Sequence, residues 1–100
     1  MGNKNYEAGR RYEYKAIEVL EGAGYEATRT AGSHGIFDVI ACGPNVRLIQ
    51  IKSFEKGNSW QSDYKEAKES IEEMKELPGV SYEVWIWRKH KGWIKQETIK

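Results

Sequence analysis

The order of helix-like and strand-like segments is the feature that most constrains the fold of this chain. Apolar residues recur at helical spacing in the first and fifth of seven segments, whereas the other five are short runs of β-branched, aromatic and apolar residues typical of strands. Ser62 or Asp63 is expected to cap the second helix. The order αβββαββ predicts an α/β fold with a mixed central sheet flanked by helices. In chain order the segments cover residues 5–23, 25–30, 36–42, 46–53, 63–76, 82–88 and 93–99.

Length, charge and cysteine content exclude several classes of protein. The 100 residues suffice for one compact domain, residues 1–100, and are too few for two. A net charge of +1 excludes a globally basic, histone-like protein, so a nucleic-acid site has to be a local patch. A single cysteine excludes an internal disulfide framework and a zinc site built from cysteines. Because no apolar stretch approaches the ~18 residues of a membrane span and no signal peptide opens the chain, we expect a cytoplasmic protein, of cellular or viral origin.

Three polar residues interrupt the apolar strands predicted before and after residues 43–45. Asp38 lies in the first strand, and Gln50 and Lys52 lie two residues apart in the second, so the latter two point to one face. The Gly-Pro-Asn turn between the strands predicts an antiparallel hairpin. If this hairpin places Asp38 opposite Gln50 and Lys52, a carboxylate, an amide and an ammonium group converge.

A second carboxylate, that of Glu13, lies on the apolar stripe of the first helix, one turn before Ile17 and two before Leu20. A carboxylate on such a stripe is costly to bury unless a cation or hydrogen-bond donors meet it. We expect the first helix to pack on the sheet face of Gln50 and Lys52, so that Glu13 joins the polar cluster. The alternative is a Glu13 side chain at the margin of the stripe, in contact with solvent.

This set of oxygen donors suits a hard divalent cation. Mg²⁺ prefers carboxylate and carbonyl oxygens and retains several waters, and Mn²⁺ is an expected substitute. A bound ion of this kind polarises a phosphoryl group and lowers the pKa of a bound water, and a nearby lysine stabilises developing charge. The pattern therefore favours phosphodiester hydrolysis over the alternative of a solvated sheet face. The expected metal ligands are Glu13, Asp38, Gln50 and the backbone carbonyl of Ile51.

Five short motifs within residues 4–54 carry a family resemblance. They are Gly9-Arg10-Arg11-Tyr12-Glu13, Gly24-Tyr25, Arg29-Thr30-Ala31-Gly32-Ser33, Phe37-Asp38-Val39-Ile40-Ala41 and Gln50-Ile51-Lys52. In this order they resemble the archaeal Holliday junction resolvases, which belong to the PD-(D/E)xK nuclease superfamily. A single PD-(D/E)xK motif is a weak signal, whereas the ordered set is much more specific. The helix and two strands that follow agree with this family in their order.

The resemblance implies a restriction-endonuclease-like fold and a Mg²⁺-dependent, structure-selective DNA endonuclease. It implies a homodimer that places two active sites on opposing strands of a four-way DNA junction and resolves the junction by paired nicks. Glu13 and Asp38 are then metal ligands, and Lys52 is the catalytic lysine. By the same likeness, Arg29 and Ser33 lie near the scissile phosphate, so Ser33 is counted among the catalytic residues.

Two residues depart from the family pattern. Gln50 stands where the family has an acidic residue. Its amide oxygen can still bind a metal, so we count Gln50 among the catalytic and metal-binding residues, although the site carries one negative charge fewer. Tyr14 stands where the resolvases often carry an arginine. Nuclease chemistry is therefore better supported than specificity for junctions.

Basic and polar residues near these motifs are the expected contacts to the DNA backbone, because each neutralised phosphate adds salt-dependent affinity. The alternative for each of them is an ordinary solvated side chain. The residues assigned to DNA binding are Arg10, Arg11, Arg29, Ser33, His34 and Lys56.

Two further functions remain open on the same residues. One is a restriction-like or repair nuclease of this fold that acts on other DNA. The other is a non-catalytic DNA-binding module with a weakened metal site, which the presence of Gln50 favours. The retention of Glu13, Asp38 and Lys52 argues against the second, because an inactive site gives no physical reason to hold buried charges together.

Overall fold

The computed structural model describes residues 4–30, 36–55 and 59–100, and of residues 4–10 the backbone alone. The predicted order αβββαββ is confirmed, with a five-stranded sheet and two helices in the described residues. The helices are α1 (Lys4–Gly22) and α2 (Gln61–Glu72), and the strands are β1 (Glu26–Arg29), β2 (Val39–Cys42), β3 (Val46–Phe54), β4 (Val80–Arg88) and β5 (Gly92–Thr98).

Several boundaries differ from the prediction. Both β1 and β2 are shorter than predicted, whereas β3 continues one residue further, to Phe54. The predicted capping of α2 by Ser62 or Asp63 is wrong, because the helix begins at Gln61 and Trp60 occupies the N-cap without a side-chain hydrogen bond. Asp63 lies instead in the first turn, where a carboxylate interacts favourably with the helix dipole.

The sheet is mixed because α2 connects β3 and β4. The strands follow the order β1-β2-β3-β4-β5, in which β3 and β4 are parallel and every other neighbouring pair is antiparallel. Parallel neighbours need a crossover connection, and α2 supplies it, whereas the turn at residues 43–45 suffices for the antiparallel β2–β3 pair. This confirms the predicted hairpin, with Val39 paired to Ile49 and Cys42 paired to Val46.

The two helices cover opposite faces of the sheet. The buried side chains of α1, Ala16 and Leu20, pack with residues of β2, β3 and β4, among them Val39 and Ile49. On the other face, Ala67 and Ile71 of α2 pack with Tyr82, Val84 and Ile86. No helix in the described part of the chain is both long enough and apolar enough to cross a membrane.

The sheet face covered by α1 corrects one prediction. We expected α1 to pack over Gln50 and Lys52, but it packs against Ile49 and Ile51, whose side chains point the opposite way. The reason is the apolar surface available, because Ile49 and Ile51 continue the buried face of β2, whereas the two polar residues interrupt theirs. Glu13 therefore lies on the opposite side of the sheet from Gln50 and Lys52.

Candidate active site

Asp38 lies directly before β2 and is held by two hydrogen bonds to β3. Its N–H donates to the carbonyl oxygen of Ile49 at 2.8 Å, and its Oδ2 accepts a bond from the N–H of Ile51, also at 2.8 Å. The β2–β3 ladder ends at the Val39–Ile49 pair, and the Asp38 N–H also bonds to Ile49, so Asp38 lies at the end of the ladder beside Ile49. The expected meeting of the Asp38 carboxylate with the Gln50 side chain stays a prediction.

The same two bonds orient the backbone of Ile51 towards Asp38. In an antiparallel pair, one residue directs both its N–H and its C=O to the same neighbouring strand. The N–H of Ile51 meets the Asp38 carboxylate, so the carbonyl of Ile51 faces that side as well. This orientation agrees with the predicted use of the Ile51 carbonyl as a ligand.

The pKa of Asp38 is raised above its usual value. Burial is the largest cause, since it disfavours the charged carboxylate, and the negative charge of Glu13 adds to it. The hydrogen bond from Ile51 and the positive charge of Lys52 act in the opposite direction. Glu13 and Lys52 therefore both lie within electrostatic reach of Asp38, although they approach from opposite sides of the sheet.

Gln50 carries a buried oxygen atom with an unused acceptor capacity. Its Oε1 is shielded from solvent and accepts no hydrogen bond from any residue that the structure describes. An unmatched buried acceptor costs about 1–3 kcal/mol. Such an atom is a position where a cation or a bound water would be stabilising.

Glu13 and Arg29 form an ion pair on the α1 side of the sheet. The Nε atom of Arg29 lies 2.6 Å from Oε1 of Glu13, and the two side chains are 17% and 20% exposed. The Arg29 guanidinium also lies over the ring of Tyr14, 5.5 Å from its centroid. Tyr14, which departs from the family pattern, thus helps to position an arginine that the sequence assigned to DNA binding.

Part of the expected donor set fits a magnesium ion. The Asp38 carboxylate, the Ile51 carbonyl that faces the Asp38 side and the amide oxygen of Gln50 are hard oxygen ligands. Glu13 lies on the sheet face opposite Gln50 and is paired with Arg29, so it does not join Gln50 on one ion. The described residues contain no group of three or more His, Cys, Asp or Glu side chains placed to hold a metal. We call Asp38, Gln50 and Lys52, with Glu13 and the Ile51 backbone, the Asp38 site.

The remaining predicted residues lie elsewhere. Ser33, His34 and Lys56 fall outside the described residues, and of Arg10 only the backbone is described, within α1. Arg11 lines a separate cavity beside Tyr12 and the turn between β4 and β5.

One buried polar cluster was missed from the sequence. Glu83 is 2% exposed and receives two hydrogen bonds from Arg47, at 2.7 and 2.8 Å, together with bonds from Ser81 and Trp85. Burial acts to raise the pKa of Glu83, but these donors outweigh it and the pKa lies below the usual value. The signal was present, because Glu83 interrupts an apolar strand just as Asp38 does.

Comparison with known proteins identifies no relative. No protein-family model matches the chain, and no curated protein matches it. The function must therefore be inferred from the residues of the chain and their arrangement.

Proposed function

We propose that this protein is a Mg²⁺-dependent DNA endonuclease of the Holliday junction resolvase type, with a restriction-endonuclease-like fold. The observation that carries the proposal is Asp38, a carboxylate of raised pKa that is hydrogen-bonded to Ile51 and lies within electrostatic reach of Glu13 and Lys52. Gln50, on the same strand face as Lys52, adds a buried oxygen without a donor. Perturbed carboxylates held beside a second acid and a lysine are typical of functional sites. Their order along the chain is that of the PD-(D/E)xK motifs.

Electrostatics support a cation at the Asp38 site. Asp38 is destabilised in its charged form by burial and by Glu13, and Gln50 contributes a further buried oxygen without a donor. A divalent cation would relieve both penalties at once, whereas a protonated Asp38 would relieve only the first. Mn²⁺ is expected to substitute for Mg²⁺ because it accepts the same oxygen ligands.

Each residue then has a chemical role. Asp38, Gln50 and the carbonyl of Ile51 would hold the ion, which when bound supplies a water of lowered pKa and polarises the scissile phosphate. Glu13, across the sheet from Gln50, would act on the site through its charge and through Arg29, with which it is paired. Lys52, on the same strand face as Gln50, would stabilise negative charge that develops on the phosphate and orient the attacking water. Arg29 would contact the phosphate.

Junction resolution further requires two active sites. A four-way junction is resolved by nicks on two opposing strands, so we propose that the protein acts as a homodimer. Each copy would contribute one Asp38 site to one strand. The restriction-like or repair nuclease requires the same Asp38 site but not two such sites on opposing strands. The non-catalytic binding module requires neither a working Asp38 site nor a dimer.

Cleavage of a labelled synthetic four-way junction beside its linear arms tests the proposal, with Mg²⁺ and with EDTA in parallel. We expect symmetric nicks confined to the junction and only with metal. Asp38→Ala should abolish them, whereas Asp63→Ala, a matched change at the exposed start of α2, should retain them. Lys52→Gln should slow cleavage by on the order of 100-fold, since one charge-stabilising group is lost.

The other outcomes separate the alternatives. Metal-dependent cutting of linear arms and junction at equal rates would keep the nuclease and remove the junction specificity. Tight DNA binding without cutting under Mg²⁺ or Mn²⁺ would favour the binding module, with Gln50 marking a site no longer used for catalysis. Cutting that persists in Asp38→Ala would come from a contaminant or from another site.

A further inference from the structure

A second group of basic residues surrounds a cavity that the Asp38 site does not use. Arg11 of α1 and Lys89 and His90 of the turn between β4 and β5 line this cavity of about 230 Å³. The aromatic side chains of Tyr12 and Trp87 complete its lining. We call these five residues the basic cavity.

The charge of the basic cavity is positive. Its lining contains an arginine, a lysine and a histidine and no acidic residue. One compensating charge among the described residues is that of Glu55, whose Oε1 lies 2.7 Å from Nζ of Lys89. Glu55 is 61% exposed in its side chain, so water screens this pair and an anionic ligand can compete for Lys89.

The residues of the cavity are held in place by the fold. The N–H of Lys89 donates to the carbonyl of Phe54 at 2.9 Å, which ties the turn to the end of β3. His90 has a φ of 67°, in the left-handed region that few non-glycine residues adopt. Such strained conformations cluster at binding sites, because the surrounding structure must enforce them.

The aromatic wall is equally fixed. The rings of Tyr12 and Trp87 lie 5.5 Å apart, and Trp87 packs edge-to-face on Trp93 at 4.9 Å. Tyr12 is only 5% exposed. A rigid aromatic surface beside a cluster of cations is the arrangement with which proteins bind nucleic acid, the cations meeting phosphate and the rings meeting sugar or base.

We propose that the basic cavity binds one phosphate group of the DNA backbone, with a neighbouring sugar or base against Trp87. The identity of the ligand as DNA rests on the proposed function, whereas the preference for phosphate rests on the cavity itself. An arginine guanidinium binds phosphate in a bidentate manner, and a lysine adds a point charge. The volume is below the roughly 300–1000 Å³ of a pocket for a drug-sized molecule, which suits a single backbone unit.

The salt dependence of DNA binding tests this inference without cleavage. The affinity for a labelled duplex and a labelled four-way junction would be measured by fluorescence anisotropy in EDTA, at several salt concentrations. For one lost phosphate contact, the slope of log K against log salt, which is negative, should become less steep by about 0.9 in the double variant Arg11→Gln/Lys89→Gln. The matched control is Lys65→Gln/Lys68→Gln, which removes two exposed lysines from α2 and should leave the slope unchanged.

A second variant guards against a loss of folding. Glu55→Gln removes the carboxylate that pairs with Lys89 and leaves the lining intact, so it should tighten DNA binding severalfold. An affinity gain cannot arise from unfolding. His90→Asn should weaken binding while keeping the turn, because asparagine tolerates the left-handed conformation.

The outcomes separate this inference from the proposed function. Salt slopes that change as expected in a protein that never cuts DNA would support the cavity and reject the nuclease. An unchanged slope in Arg11→Gln/Lys89→Gln, an equal change in the α2 control, or the absence of DNA binding would each overturn the inference. In the first two of these cases, cleavage by the wild-type protein under Mg²⁺ would still support the proposed nuclease function.

Discussion

Two polar clusters that involve β3 each contain a carboxylate, and they differ in how many hydrogen bonds that carboxylate accepts. Arg47, near the start of the strand, meets Glu83 on the α1 face, and four hydrogen bonds satisfy the carboxylate. The Asp38 carboxylate, directly before β2, accepts one bond from the described residues, that of the Ile51 N–H, and the Gln50 Oε1 accepts none from them. The pKa of Glu83 is lowered and that of Asp38 is raised, although burial acts to raise both.

The difference indicates that the Arg47–Glu83 cluster supports the fold, whereas the charge of Asp38 is only partly compensated. A buried carboxylate surrounded by donors gains little from a ligand, because its charge is already compensated. A carboxylate of raised pKa keeps a stability penalty in its charged form that a cation would reduce. Residues at functional sites commonly reduce stability in this way, and the rest of the fold compensates.

The largest expected effect is on the Arg47–Glu83 pair. Glu83→Leu should lower the free energy of unfolding by about 3–5 kcal/mol, because Arg47 is left without its partner in a buried setting. The double change Arg47→Met/Glu83→Leu should recover most of this loss, since both charges are gone. Chemical denaturation measures both, with Glu26→Gln, an exposed glutamate of β1, as the control. A single variant as stable as the control would contradict a structural role for the pair.

A smaller effect of opposite sign is expected at Gln50. Gln50→Met keeps the length of the side chain and removes the unmatched oxygen, so the metal-free protein should gain about 1–2 kcal/mol in unfolding free energy. The same variant should bind Mg²⁺ more weakly in a calorimetric titration, because one oxygen ligand is lost. Gln96→Met, at an exposed position of β5, should change neither quantity. Destabilisation by Gln50→Met would mean that the oxygen has a partner after all.

The smallest expected effect is a pH dependence at Asp38. A carboxyl whose folded pKa is raised adds stability at low pH and loses it as the pH rises through the folded pKa. Asp38→Asn should therefore be more stable than the wild type at neutral pH without metal, and the gap should close as the pH falls. Asparagine can still accept the Ile51 hydrogen bond, so the change isolates the charge. Thermal unfolding across this pH range measures the gap.

A control variant and a contradicting outcome complete the test of Asp38→Asn. Asp63→Asn alters a carboxylate in the first turn of α2, where removing the charge should slightly reduce stability. A neutral-pH gain in Asp38→Asn that persists unchanged in acid would assign the effect to packing rather than to charge. Saturating Mg²⁺ should reverse the order of wild type and Asp38→Asn, because only the wild type offers the carboxylate.

Local sequence patterns were enough to predict the helices and strands and the hairpin that carries part of the candidate site. The antiparallel β2–β3 hairpin, predicted from the turn at residues 43–45, is confirmed, whereas the meeting of Asp38 with Gln50 stays a prediction. Such patterns act over neighbouring residues, so the sequence contains them directly. The capping of α2 was wrong because Ser62, Asp63 and Trp60 lie too close together for composition to select one N-cap.

Long-range packing decided what the sequence could not. The face that α1 covers depends on how the apolar areas of β2, β3 and β4 add up, and β4 is separated from the β2–β3 hairpin by α2 and its connections. The contact of Arg29 with Glu13, the Arg47–Glu83 pair and the basic cavity likewise join distant segments.

The sequence alone therefore determined the αβββαββ order and the β2–β3 hairpin. Only the tertiary structure decided that α1 lies on the opposite face, that Glu13 is paired with Arg29, and that the Gln50 oxygen is buried without a donor. The physical reason is the separation along the chain of the residues that set each property. Periodicity and turn preference are set by residues a few positions apart, whereas burial and electrostatic environment are set by every element that packs around a side chain.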